Sequence, residues 1–146
     1  MIAREFPFTA AEADAIESAL RTYHSRILRC TNKVWFAHVD VDRVLNLILT
    51  GEVKAALVEG FLILYEVGVP WYSEHSLVLS EMMVLRVTPG GDFQVVPQFL
   101  ESKGRFYGCD FVCVGTALAH NDLALARMYE RSGYHVEAMQ LIKHLT

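Results

Sequence analysis

The run from Leu77 to Val87 constrains the fold of this chain more than any other stretch of its sequence. It is the longest β-type run in the chain, and it is too hydrophobic to lie at the edge of a sheet. One carboxylate, that of Glu81, interrupts it. The run therefore predicts a central strand with a charged group in its middle, and the rest of the chain must supply the neighbouring strands and the covering helices.

Capping and turn signals place the other elements around this strand. Thr9-Ala10-Ala11-Glu12 has the pattern of a capping box and predicts a helix that continues to about Cys30. A second helix is expected from about Asp40 to Gly51, and Glu59-Gly60 predicts the turn of a β-hairpin. The other predicted strands are 2–8, 53–58, 61–67, 110–116 and 134–145, and the other predicted helices are 93–106 and 122–132.

This order of elements indicates an α/β (α+β) fold. A tight hairpin comes first and helical crossovers follow, so the first half of the sheet should be antiparallel and the second half partly parallel. We expect helices on both faces of this mixed sheet. The length of 146 residues suits one domain, and we expect residues 1–146 to form a single unit.

Composition narrows the functional classes. Hydrophobic residues make up 53% of the chain and charged residues 21%, which excludes a disordered or fibrous protein. The net charge of −4, with scattered Lys and Arg residues, argues against a nucleic-acid partner. No apolar run approaches the roughly 20 residues of a membrane-spanning helix, and there is no signal-peptide pattern. We therefore expect a soluble, cytoplasmic protein without a membrane partner.

Cysteine and histidine patterns predict neither a disulfide framework nor a metal site. Cys30, Cys109 and Cys113 are an odd set, which does not fit paired disulfides. The histidines occur singly, without the close spacing that metal ligands on one helix require.

Three short patterns occur in order in the second half of the chain, at residues 85–89, 108–114 and 122–134. Together they resemble motifs of the GNAT superfamily of N-acyltransferases. Leu85-Arg86-Val87-Thr88-Pro89 resembles the L-x-V-x-P that ends the central strand of that family. The stretch 108–114 is similar to the family's Gly-led strand, which parts from its neighbour. The stretch 122–134 resembles N-x-x-A-x-x-L-Y-E-x-x-G-F, with Tyr129 and Gly133 in register and Asp122 in place of Asn. The element order is also that of the GNAT fold, so the resemblance spans nearly the whole chain.

The resemblance implies that an amine attacks the thioester of acetyl-CoA or another acyl-CoA directly. It places the cofactor at the end of the central strand, in the loop that follows and at the start of the last helix. The residues assigned to cofactor binding in this way are Val87, Thr88, Gly90, Gly91, Asp92 and Asp122.

The loop after the central strand departs from the family pattern R/Q-x-x-G-x-G/A, whose glycines let main-chain N–H groups surround a diphosphate. Counted from Pro89, the basic position holds Asp92, and Phe93, Val95 and Pro97 stand at the later positions. Two interpretations remain open. In the first, Gly90 and Gly91 form a shifted loop, the helix start still offers free N–H groups, and CoA binds weakly or another acyl carrier binds. In the second, the cofactor site has decayed and the domain is a non-catalytic binding or structural module.

Direct acyl transfer needs a base for the ammonium group and an acid for the departing thiolate. Glu81 is the candidate base, because a carboxylate inside an apolar strand requires a partner or a function, and burial would raise its pKa. If the strand alternates regularly, Glu81 shares a face with Met83 and Leu85, while Val84 and Arg86 lie on the other. A bulge or an exposed rim that lets Glu81 meet water or an Arg is the alternative.

Tyr129 stands where the family often places the tyrosine that protonates the thiolate, so the resemblance makes it the candidate acid. The alternative is a packing residue near the end of an amphipathic helix.

The loop before the central strand contains Trp71, Tyr72 and His75, which could line a pocket for the acceptor. The acceptor would be a small-molecule or protein amine. The sequence also allows a homodimer.

Overall fold

Helix α1 begins at the predicted capping box, which the computed structural model confirms. The structure describes residues 2–30, 33–116, 118–119 and 121–145. Strand β1 is Ala3–Glu5 and helix α1 is Ala10–Cys30. The Thr9 hydroxyl accepts from the Glu12 N–H at 3.1 Å, and the Glu12 carboxylate accepts from the Thr9 N–H at 2.8 Å. These reciprocal bonds satisfy N–H groups that a helix start leaves without intrahelical partners.

Helix α2 also begins where the sequence predicts. A short 3-10 helix covers Val34–His38, and α2 covers Val41–Leu49. The Asp40 side chain caps α2 by accepting from the Arg43 N–H at 3.0 Å. Asp42 and Arg43 are exposed, whereas Val41 is partly buried and Ile48 is fully buried, so one apolar face of α2 is turned toward the core.

In the part of the chain that the structure describes, the sheet has five strands in the order β1-β2-β3-β4-β5. Strand β2 is Lys54–Val58, β3 is Phe61–Gly68, β4 is Val78–Arg86 and β5 is Phe111–Cys113. The first three pairs of neighbours are antiparallel and the pair β4–β5 is parallel. The predicted mixed sheet is therefore confirmed, with β4 as an interior strand between β3 and β5.

Helices cover both faces of the sheet. Helix α3 is Val95–Phe106 and α4 is Asp122–Glu130. Side chains of β3 and β4 pack with Phe99 and Leu100 of α3 and Tyr129 of α4 in one cluster. The opposite face packs against Ile16 and Leu20 of α1 and Ile48 of α2. Among the described residues, no helix is long and apolar enough to span a bilayer.

Several predicted boundaries and one predicted strand are wrong. Helix α3 begins at Val95 rather than Phe93, and β5 ends at Cys113 rather than Thr116. The predicted strand 134–145 is absent, since its described residues form neither strand nor helix. Apolar side chains at adjacent positions, such as Leu141 and Ile142, cannot both face one side of a strand. Both are exposed, at 87% and 69%.

Helix α4 ends at Glu130, two residues before the predicted end at 132, and Gly133 closes its last turn. The N–H of Gly133 donates to the carbonyl of Glu130 at 3.0 Å, and the N–H of Tyr134 donates to that of Tyr129 at 3.3 Å. This pair of bonds is the Schellman arrangement, in which a residue after the helix closes its last turn.

Candidate active site

A bulge in β4 decides which way Glu81 faces. The pairing of β4 with β3 matches Leu64 to Met83 but Tyr65 to Glu81, so Met82 is an extra residue. Directly paired residues of neighbouring strands lie on the same face of a sheet. Tyr65 belongs to the cluster that packs on α3 and α4, so Glu81 belongs to that face.

The bulge makes the prediction of regular alternation wrong. Val84 and Arg86 pair with Ile63 and Phe61, which pack in the same cluster as Tyr65. Glu81 therefore shares its face with Val84 and Arg86, whereas Met83 and Leu85 pack on the α1 side.

Strands β4 and β5 separate immediately before Glu81. Their pairing ends with Ser80 and Cys113. Beyond that point the Glu81 carboxylate accepts a hydrogen bond from the main-chain N–H of Gly115 at 3.0 Å. The carboxylate thus lies where two parallel strands part, and a side-chain contact replaces the ladder bonds.

A cavity of about 310 Å³ opens beside the separated strands. Tyr23, Phe61, Met82, Val84, Phe93 and Leu118 form much of its apolar wall. Among the described residues that line it, Glu81 and Arg86 are the charged ones. A ligand in this cavity would meet an acidic group, a basic group and a mostly apolar surface.

The electrostatics of Glu81 follow from its surroundings. Burial raises the pKa of its carboxyl group from 4.5 to about 7, and the hydrogen bond from Gly115 opposes that rise. No basic side chain among the described residues forms an ion pair with it. A carboxyl group with a pKa near 7 can both accept and release a proton at neutral pH.

Tyr129 lies close to this site but does not line the cavity. Its side chain is 2% exposed, and its hydroxyl has no hydrogen-bond partner among the described residues. Burial raises the pKa of the hydroxyl well above its usual value, and the charge of Glu81 raises it further. The ring of Phe93, which lines the cavity, packs edge-on against the Tyr129 ring at 5.2 Å. Phe93 therefore connects the cavity wall to the buried tyrosine.

The loop after β4 folds onto the β2–β3 turn. The N–H groups of Val87 and Thr88 both donate to the Gly60 carbonyl, at 2.7 and 3.2 Å. Gly90 and Gly91 have positive φ angles of 87° and 77°. A Cβ atom at Gly91 would lie 2.7 Å from the Glu59 carbonyl oxygen, whereas one at Gly90 would meet no atom within 4 Å. Backbone in this loop is thus closely packed at Gly91 and open at Gly90.

The N–H groups at the start of α3 donate to acceptors in the residues just before them. The Asp92 carboxylate accepts from the Gln94 N–H at 3.1 Å, and the N–H groups of Val95 and Val96 donate to main-chain carbonyls. Pro97 has no N–H group. The expectation that the helix start offers free N–H groups is not supported at these four positions. In the loop itself, no described residue accepts from the N–H of Gly90, Gly91, Asp92 or Phe93.

Asp122 helps to hold one wall of the cavity. Its carboxylate pairs with the Lys33 ammonium at 2.6 Å, and Lys33 also donates to the Ala119 carbonyl at 2.9 Å. The Tyr23 hydroxyl donates to the Leu118 carbonyl. These contacts connect the segment after β5 to α1 and to Lys33. The Asp122 carboxylate is therefore already paired with Lys33.

The predicted acceptor residues lie outside the cavity. Trp71 and Tyr72 are 96% and 70% exposed, and His75 is also exposed. All three precede Val78, the first residue of β4, and none lines the cavity around Glu81. The described residues contain no group of three or more His, Cys, Asp or Glu side chains that could hold a metal ion.

The sequence alone does not predict the roles of several residues of this site. Arg86 was visible as a charged residue near the end of an apolar strand, but the face that it occupies depends on the bulge. Gly115 and Tyr23 reach Glu81 and its cavity through tertiary contacts. Neither residue has a local pattern that marks it.

Comparison with solved structures identifies the fold. The chain is similar to ribosomal-protein-alanine N-acetyltransferase from Brucella melitensis, with a TM-score of 0.66, 10% identity, and coverage of 99% of this chain and 100% of that chain. It is similar to glucosamine-6-phosphate N-acetyltransferase from Arabidopsis thaliana, with a TM-score of 0.60, 13% identity and full coverage of both chains. The third example is AAC(6')-Iy in complex with the bisubstrate analogue CoA-S-monomethyl-acetylneamine, with a TM-score of 0.59, 12% identity and coverage of 99% and 97%.

Sequence comparison adds no closer relationship. No protein-family model matches the chain, and no curated protein matches it significantly. The structural matches cover nearly the full lengths of these solved structures. The chain has the fold of the GNAT acetyltransferases.

Proposed function

We propose that this chain is an N-acetyltransferase that transfers an acetyl group from acetyl-CoA to an amine. The observation that carries the proposal is the position of Glu81. Its carboxylate lies in an apolar cavity where β4 and β5 part, with a pKa raised to about 7. Groups with such a shifted pKa in a cleft occur frequently at catalytic sites.

The residues around the cavity fit an acyl thioester. Beyond Ser80, no described residue pairs with β4 on the side of β5, so the main-chain groups of β4 can bond to an extended ligand. The Tyr129 hydroxyl is a buried polar atom without a described partner, although buried hydroxyls are normally bonded. Acetyl-CoA would supply a reactive carbonyl carbon and a thiolate leaving group.

The two candidate catalytic residues divide the proton transfers between them. Glu81 accepts the proton that the ammonium group must lose before the amine can attack. The pKa of about 7 makes this carboxylate a stronger base than an exposed one. Tyr129 donates a proton to the departing thiolate and regains one from the attacking nitrogen, which loses its second proton as the amide forms. Its raised pKa keeps the hydroxyl protonated before the reaction. Phe93 must shift for Tyr129 to reach the cavity.

The acceptor is an amine on a small molecule or on a protein, and the acetyltransferases compared above provide a first panel. Their names specify ribosomal-protein alanine, glucosamine 6-phosphate and an acetylneamine analogue. The panel therefore contains a peptide with N-terminal alanine, glucosamine 6-phosphate and neamine. Exposed Trp71, Tyr72 and His75 stay candidates for acceptor contacts outside the cavity.

The test has a binding step and a reaction step. Acetyl-CoA at a hundred times its dissociation constant should stabilise the protein by about 2.7 kcal/mol in thermal unfolding. Release of the CoA thiol is then followed with each amine, using wild type, Glu81→Gln and the control Glu66→Gln, which alters an exposed strand carboxylate. Wild type and Glu66→Gln should react at similar rates, and Glu81→Gln should react about 10²–10⁴-fold more slowly. Absence of any thermal shift at millimolar acetyl-CoA contradicts the proposal.

A further inference from the structure

Arg86 carries a positive charge at the cavity that no described carboxylate neutralises. None of the ion pairs among the described residues includes it. It lines the same cavity as Glu81 and lies on the same face of β4. A guanidinium group in this position is available to an anionic part of a ligand.

The guanidinium group is held in place by neutral partners. It donates to the Gly90 carbonyl, and it lies over the Phe61 ring at 4.4 Å from the ring centre. A cation–π contact and a hydrogen bond to a carbonyl fix the side chain without removing its charge. Because the group is already ordered, less conformational entropy is lost when an anion binds.

The loop beside Arg86 adds main-chain donors. The N–H groups of Gly90, Gly91, Asp92 and Phe93 have no acceptor among the described residues, and the space around Gly90 is open. The Asp92 carboxylate accepts from the Gln94 N–H. This contact directs it to the start of α3.

The spacing of Glu81 and Arg86 fits one extended ligand. Five residues of strand with one bulge separate them by roughly 13–16 Å, at about 3.3 Å per residue. A CoA thioester has its reactive carbonyl at one end of a long flexible arm and a diphosphate at the other. The carbonyl would lie near Glu81 and the diphosphate near Arg86.

We propose that Arg86 binds the diphosphate of the acyl carrier, in the place of the basic residue that the loop itself lacks. The inference rests on the proposed function, because that function requires a CoA thioester. Arg86 provides the charge, and the N–H groups of the loop provide additional hydrogen bonds.

The experiment measures binding by calorimetry, with CoA and with pantetheine, which lacks the phosphates and the adenosine. Wild type should bind CoA at least about tenfold more tightly than pantetheine, since bonds to charged groups contribute that much. Arg86→Gln should weaken CoA binding about tenfold and make it less dependent on salt, while pantetheine binding stays unchanged. Arg86→Lys keeps the charge and should retain part of the affinity.

Arg105→Gln is the matched control, because Arg105 is an exposed arginine near the other end of α3. It should bind CoA like wild type, and thermal unfolding should show that every variant is folded. Equal CoA affinity of wild type and folded Arg86→Gln overturns the role of Arg86 and leaves the proposed function standing. Failure of wild type to bind either CoA or acetyl-CoA overturns both.

Discussion

The Glu81 carboxylate accepts a hydrogen bond from the Gly115 main-chain N–H at the point where β4 and β5 stop pairing. The bond joins two strands whose ladder ends one residue earlier on β4. It also fixes the carboxylate at the edge of an apolar cavity, where a charged group is costly. A single contact thus connects the topology of the sheet to the chemistry proposed for it.

The first prediction concerns the pH dependence of acetyl transfer. Glu81 must be deprotonated to act as a base, so kcat/KM should rise with pH and level off above about 7. Glu81→Gln should lower kcat by about 10²–10⁴-fold and abolish this dependence. A pH–rate profile, measured with whichever amine of the panel the protein acetylates, checks this prediction. A profile of Glu81→Gln that keeps the same inflection would assign the titration to another group.

The second prediction concerns the pH dependence of stability. Burial raises the pKa of Glu81 from 4.5 to about 7 in the folded chain. Between these pH values the unfolded chain releases the proton and the folded chain keeps it, so the free energy of unfolding falls as pH rises. The fall should total about 3 kcal/mol and be complete above pH 7.

Glu81→Gln should remove this component of the pH dependence. The free energy of unfolding of the variant, relative to that of wild type, should increase from about pH 4.5 to 7, as measured by urea unfolding at several pH values. Glu66→Gln, which alters an exposed strand residue, should follow wild type throughout. A constant difference between Glu81→Gln and wild type across this range would mean that Glu81 titrates like an exposed carboxyl group.

The third prediction separates two tyrosines whose hydroxyl groups are buried. The hydroxyls of Tyr129 and Tyr134 both lack a hydrogen-bond partner among the described residues. Replacement of either by Phe removes an unsatisfied polar group and should stabilise the fold by up to about 1 kcal/mol. Only Tyr129→Phe should also lower kcat, by about 10²-fold, because only Tyr129 is proposed as the acid. Equal kcat for the two variants would assign Tyr129 to packing alone.

The fourth prediction tests the loop after β4. Gly90→Ala should cost about 1–2 kcal/mol, because Gly90 has a positive φ angle but open surroundings. Gly91→Ala should cost more, since the added methyl group would also lie 2.7 Å from the Glu59 carbonyl oxygen. Urea unfolding of both variants gives the comparison. A smaller loss for Gly91→Ala would show that the loop does not pack against the β2–β3 turn.

Local signals in the sequence predicted the elements whose ends are fixed by nearby residues. The Thr9–Glu12 capping box, the Asp40 cap and the Glu59–Gly60 turn all act over a few residues, and the structure confirms them. The prediction of a strand at 134–145 is wrong, because it rested on apolar residues alone and their pattern does not alternate.

The site was less predictable because tertiary contacts build it. The sequence indicates Glu81 as a candidate because it is a carboxylate in an apolar strand. The face of the sheet on which it lies depends on the bulge at Met82, which no local pattern marks. The roles of Arg86 and Gly115 follow from that face and from the separation of β5. Neither follows from spacing along the chain.

The most direct test of the central claim is an NMR titration of the Glu81 carboxyl group, with and without acetyl-CoA. In protein labelled with ¹³C at glutamate Cδ, one resonance should titrate near pH 7, and Glu81→Gln should remove it. Saturating acetyl-CoA should shift that resonance, because the thioester would lie beside the carboxylate. A Glu81 midpoint between pH 4 and 5, or a resonance that does not respond to acetyl-CoA, would contradict the account.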